Sequence, residues 1–234
     1  MPLNSIKSEI RTHADKQRAH LMQRFFKTGK GEYGHGDVFL GLSVPQQRKI
    51  AKRHYDMPLS QIVKLLRGKI HEERFTALVL MVSKYQKAGH DEQDAIAKTY
   101  LANAKWINNW DLVDTSAPQI IGHWSHERAY ADKLYALAKS KDLWERRIAV
   151  LATFHFIRQN DYKPTLKICT LLLNDKHDLM HKACGWMLRE VGKRSKPNLI
   201  AFLDRHATRM PRTMLRYAIE KLPEPARQAY LAAK

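Results

Sequence analysis

The chain has 234 residues, 44% of them hydrophobic, enough for a sizeable core in one domain or one elongated repeat array over 1–234. Lysine and arginine outnumber aspartate and glutamate 41 to 23, giving a formal charge of +18 and a pI near 9.9. Such an excess repels itself and serves no purpose in an enzyme of small metabolites, so an anionic partner is expected. The positive residues run through the whole chain and do not form a tail, which points to a folded basic surface. Nucleic acid fits that surface better than a membrane, because no segment joins a strong amphipathic moment to a long apolar run.

Cys169 and Cys184 are the two cysteines, both inside apolar helical patterns, and are expected to be buried thiols in a reducing compartment. No run reaches the ~18 apolar residues of a membrane span. The N-terminal stretch MPLNSIKSEIRTHADKQ has no apolar signal core and carries acids, so a cytoplasmic location is expected.

In chain order, residues 3–27 have the pattern of one amphipathic helix, marked by Leu3, Ile6, Ile10, Leu21 and Phe25. TGKGEYGHGDVFLGLSVP is Gly-rich, but its glycines are not spaced as a phosphate-binding loop and no GK[ST] follows. It is expected to connect, its glycines permitting close approach to a backbone or a phosphate. Pro45 then opens a helix, as proline at the first helical position does. Helical periodicity follows over 59–67, 71–88, 91–103, 108–123, 126–139, 142–159, 162–173, 177–194, 196–206, 211–221 and 224–233. Gly89, Gly122, Asn160–Asp161, Asn174–Asp175, Pro197, Pro211 and Pro223 are among the turn signals between them. No period-two strand stands out, so the fold should be all-α.

Three second helices of pairs begin at Glu72, Trp144 and Met180, and each is long and apolar: FTALVLMV, RIAVLATFHF, ACGWML. The pairs recur at roughly 36 residues, in the range of HEAT-type helical hairpins. A solenoid of such pairs offers an extended concave face for binding.

Chemistry concentrates in WINNWDLVD, Trp106 to Asp114. In a helix Trp110 and Asp114 are i and i+4, so ring and carboxylate share one face about one turn apart. The alternative is a core tryptophan and an aspartate that caps the next helix ahead of Thr115, Ser116 and Pro118. Farther on, Lys182, Arg189 and Lys193 fall within about 60° of Trp186 at 100° per residue. Trp186 is therefore off the core face and ringed by cations, as a platform for a sugar or base beside phosphates would be; a cation–π pair with Arg189 at a repeat interface is the alternative. After Arg147 the helix is apolar nearly all round, so Arg147 should be partly buried and need an anion. Asp114, a phosphate, or a local bridge to Glu145 or Asp142 would serve. His123/His126 and His177/His181 have helical spacing without a third ligand nearby, so neither a metal nor another cofactor is expected. No Ser-His-Asp or Cys-His nucleophile pattern is visible.

These pieces carry a resemblance. FLGLSVP, NNWDLVD (108–114), LWERRIAVL (143–151) and KACGWMLRE (182–190) resemble, in order and spacing, the AlkD family of DNA alkylation repair enzymes, and the likeness spans nearly the whole chain. The resemblance implies a right-handed solenoid of HEAT-like repeats with a concave basic groove, acting as a monomeric, monofunctional alkylpurine DNA glycosylase on double-stranded DNA. Trp110 and Trp186 would flank the deoxyribose, Asp114 would stabilise the oxocarbenium ion and position water, and Arg147 would hold Asp114 or a phosphate. The lesion would not be flipped into a protein pocket, unlike in most glycosylases. Lys182, Arg189, Lys193, Arg146 and Arg194 would neutralise phosphates. A non-catalytic scaffold for branched or bent nucleic acid is the alternative, and a protein–protein adaptor a third, disfavoured by the charge.

Overall fold

The computed structural model describes residues 2–233. They are all-α; among them the only β pairing is an isolated parallel bridge between Val38 and Ile70. No helix among them is long and apolar enough to cross a membrane. The chain forms two compact units, one up to Ser116 and one from Ala117 onward.

The first unit contains α1 (Pro2–Thr12), α2 (Lys16–Phe25), α3 (Val44–Arg53), α4 (Leu59–Leu66), α5 (His71–Lys87), α6 (His90–Ala102) and α7 (Trp110–Ser116). Helix α5 is its hub: α1, α3, α4, α6 and α7 all pack on it. That explains its sequence, because even its first turn, Glu72, Glu73 and Arg74, is buried. Each buried charge has an assigned partner. Glu73 meets Arg11 at 3.0 Å and Lys7 at 3.4 Å on α1. The Glu72 carboxylate accepts the backbone N–H groups of Leu40, Gly41 and Leu42 at 2.7–3.2 Å.

The single helix expected over 3–27 is two. The chain turns at 13–15, where the Asp15 side chain accepts from Arg18 N at 3.0 Å and caps α2, and Asp15 N donates to Leu40 O at 2.8 Å. Gly41 sits against this turn with φ +93°, and a Cβ there would lie 2.2 Å from Asp15 O. Ile6 and Ile10 are core, but Leu21 and Phe25 are 57% and 65% exposed, so the apolar face of α2 does not continue that of α1. The glycine-rich loop thus closes on its own unit: its amides take an internal carboxylate where a phosphate had been an option. Ser43 and Gln46 form a capping box at the start of α3, with Pro45 between them in the first turn.

The second unit contains α8 (His123–Glu127), α9 (Ala131–Ala138), α10 (Leu143–Arg158), α11 (Lys163–Leu171), α12 (Asp178–Arg194), α13 (Lys196–His206), α14 (Arg212–Ile219) and α15 (Glu224–Ala232). The long apolar helices α10 and α12 pack on each other, and each on the shorter helix before it, as α5 does on α4. This is the expected helical pairing. Asp142 caps α10 by accepting from the amides of Trp144 and Glu145.

The helix expected over 108–123 is interrupted. After α7 comes a π-helical turn, Pro118–Gly122, and then α8. Gly122 is not a turn signal but a close-approach residue: its Cβ would lie 2.4 Å from Ala152 O, so only glycine lets the π turn pack on α10. Gly185 plays the same part on α12, where a Cβ would meet Met214 O at 2.5 Å on α14. Cys169 and Cys184 are buried free thiols, as expected.

Candidate active site

In the first unit a cleft of about 400 Å³ opens between α2, the start of α3, α5 and α7, lined among others by Arg18, Phe25, Phe26, Trp110, Asp111 and Asp114. Trp110 is half-buried, and its indole stacks on Phe26 at 5.2 Å and 18° while Phe25 meets it edge-on at 5.8 Å. Asp114, one turn on, lines the same cleft, as the i, i+4 arithmetic implies; it lies inside α7, and the π-helical turn that follows has no side-chain cap. Its charge also reaches inward: burial raises the Tyr100 hydroxyl well above its ordinary value and Asp114 pushes it the same way, against the 2.8 Å hydrogen bond to Ser116.

The two aspartates of the motif have different environments. Asp111 accepts from Leu112 N at 2.9 Å and from His71 Nε2 at 2.8 Å. The other His71 nitrogen donates to Asp37 Oδ2 at 3.0 Å. A carboxylate only accepts, so an imidazole bonded to two of them carries both protons. Burial opposes that charge, but Asp111 and Asp37 outweigh it and raise the ring to about 9. Asp37 is also bound by Arg74 Nη2 at 2.5 Å and by Asn109 Nδ2 at 3.1 Å. Burial works against ionisation of Asp37, yet His71 and Arg74 hold its carboxyl below the usual range. Asn109 in turn accepts from Trp110 N at 2.8 Å.

Phe26 and Phe39 lie against the His71 ring at 5.1 and 4.5 Å. A buried ionic network therefore fixes the start of α7, and an aromatic stack roofed by Trp110 sits above it. Sequence reasoning missed Asp37, His71, Phe25 and Phe26. Asp37 follows four glycines in a segment without periodicity, where nothing marks it as buried; the adjacent Phe25-Phe26 pair lies at the end of a stretch whose pattern reads as one amphipathic helix.

In the second unit Trp186 is half-buried, with Phe154 at 6.1 Å and its Nε1 donating to Glu190 Oε1 at 3.1 Å. The cations around it are matched by acids. Lys182 pairs with Asp178 and Lys193 with Glu190, each at 2.7 Å, and Arg189 pairs with Glu220. The expected ring of cations is thus a mixed cluster, and Glu190 is its overlooked member. Arg146 is committed within the unit, to Asp175 at 2.7 Å and to the carbonyls of Ser140 and Lys141. Arg147 is 5% exposed, as its apolar helix implied, and donates to Leu179 O at 2.8 Å in the first turn of α12. Arg194 is exposed at the end of α12.

The family described as DNA alkylation repair enzyme matches residues 6–222. The chain belongs to that family. A solved structure described as a predicted DNA alkylation repair enzyme from Enterococcus faecalis shares the fold, with a TM-score of 0.69 at 16% identity over 90% of this chain and 97% of that one. No curated protein matches the sequence. The resemblance read from NNWDLVD and KACGWMLRE is thereby upheld at the level of the family, and DNA is the substrate that membership implies.

Proposed function

We propose that the protein is a DNA glycosylase that hydrolyses the N-glycosidic bond of cationic N3- or N7-alkylated purines, such as 7-methylguanine and 3-methyladenine, in duplex DNA. The observation that supports it most is Trp110, stacked on Phe26, in one cleft with Asp114. As the bond breaks the deoxyribose becomes cationic. A carboxylate held beside that charge stabilises the transition state more than the ground state, by several kcal/mol in a partly dry site. An aromatic face adds to it through its quadrupole. Asp111, tied to His71, positions α7; Asp114 is the acid that acts, and it orients the water.

An alkylated purine already carries positive charge, so it leaves without a general acid. The lesion accordingly needs no pocket to read its edge and stays in the stack, as the family resemblance implies. In the second unit Trp186 offers an aromatic face to the DNA, and Arg147 positions the first turn of α12, which leads to it. Lys182, Arg189, Lys193 and Arg194 contact phosphates. The pair of Lys182 with Asp178 is exposed, so its exchange for a phosphate costs little, whereas Arg189 and Glu190 are only 18% and 14% exposed. Arg146 is structural in this reading. The enzyme works as a monomer and without a cofactor.

The test is to incubate the protein with methylated duplex DNA and to assay free base and abasic sites together. Both appear in equal amounts if the glycosidic bond is hydrolysed. Binding without either product would replace the enzyme with a scaffold for damaged or bent DNA.

A further inference from the structure

We infer that the second unit carries a site for one divalent transition-metal ion, zinc by its donor set, formed by His126 and Glu127 of α8 and His155 of α10. The potential ligand atoms of these three residues lie within 4.8 Å of one another. The sequence spacing gave His123 and His126 no third ligand; the π-helical turn supplies one. Gly122 allows that turn to close on α10 so tightly that a Cβ on it would lie 2.8 Å from the Cβ of His155. His155 then sits with its ring centre 5.2 Å from that of His123 and 5.3 Å from that of His126.

The arrangement leaves a feature that protein hydrogen bonds do not account for. Nε2 of His155 is buried and has no hydrogen-bond partner among the described residues. A buried polar atom without a partner costs free energy, and a lone pair directed at a metal removes that cost. Glu127 accepts from His126 Nδ1 at 3.1 Å, which brings the anionic ligand to the same point.

Two imidazoles and a carboxylate, with water as the fourth ligand, suit tetrahedral zinc. Bonds of about 2.0–2.1 Å set ligand atoms about 3.3 Å apart in that geometry. The present spread of up to 4.8 Å closes by rotation of Glu127 and His126, whose side chains are 45% and 30% exposed. His177 and His181 do not compete. His177 accepts from Leu179 N and His181 donates to Asp175 O, so each has a structural use.

The experiment uses the untagged full chain, stripped with chelator and titrated with zinc sulfate against a chromophoric competitor, and in parallel with cobalt(II) for its tetrahedral absorption bands. One equivalent is expected to bind, with the cobalt bands present. Glu127→Gln and His126→Gln should each weaken binding at least tenfold, His155→Gln should abolish it, and His181→Gln should leave it unchanged. Glu127→Gln changes an exposed side chain and His126→Gln a partly exposed one, and circular dichroism checks that both keep the fold. Absence of saturable binding, or binding equally tight in Glu127→Gln and His126→Gln, overturns the assignment.

Discussion

The pair of carboxylates around the buried His71 ring makes the first unit sensitive to alkali, and the size of the effect follows from the ring's environment. In the unfolded chain an imidazole titrates near 6.5. In the folded protein the same ring is held at about 9 by Asp111 and Asp37 against the cost of burial. A group whose pKa is raised on folding contributes its full stability below the unfolded value and loses it as pH rises through the folded value. Between about pH 6.5 and 9 the wild-type protein should therefore lose stability at up to ~1.4 kcal/mol per pH unit from this one group, about 3 kcal/mol in all. His71→Gln leaves Asp37 with Arg74 and Asn109 but takes the cation from Asp111. The variant should be less stable at pH 6 by a similar ~3 kcal/mol, since one charge of a buried pair is removed. It should also be flatter toward alkaline pH. Urea unfolding followed by tryptophan fluorescence at pH 6, 7, 8, 9 and 10 measures both curves. If wild type and variant run parallel over this range, His71 is not a buried imidazolium and the ionic support of α7 is refuted.

Three further outcomes are expected. Phe25→Ala removes a ring that is 65% exposed yet lies edge-on to Trp110, so urea unfolding should shift by under ~1 kcal/mol while base release slows severalfold. Gly122→Ala forces a Cβ to within 2.4 Å of a backbone oxygen, and thermal unfolding should show about 3 kcal/mol of destabilisation. DNA affinity should drop by orders of magnitude between about 50 and 200 mM salt, as counterion release from several phosphates demands; a flat response measured by fluorescence anisotropy would remove the phosphate-contact assignments.

How much of this was legible in the sequence depends on whether a feature is local. Helix type and helix pairing were, because α3 to α6 and α10 to α14 bury faces whose period is written in consecutive residues. The Trp110–Asp114 relation was legible for the same reason: one helical turn fixes it. The break between α1 and α2 was not, since it rests on Asp15 meeting Leu40, and no periodicity reports a contact across a loop. Nor was Asp37, whose partners His71, Arg74 and Asn109 come from two other segments. The cations near Trp186 share its side of α12 by helix geometry, but charge neutralisation by Glu220 comes from beyond α14 and is invisible in a wheel of α12. His155 shows the same limit: helical spacing pairs His123 with His126, while their third neighbour depends on how closely Gly122 lets two segments approach.

The account stands most directly on the carboxylate of Asp114. Single-turnover release of 7-methylguanine by wild type and Asp114→Asn, with DNA affinity measured on the same preparations, isolates it. Loss of a carboxylate that acts in the transition state predicts a rate lower by about 10²–10³-fold with affinity changed little. Release at the wild-type rate by the asparagine variant would contradict the central claim.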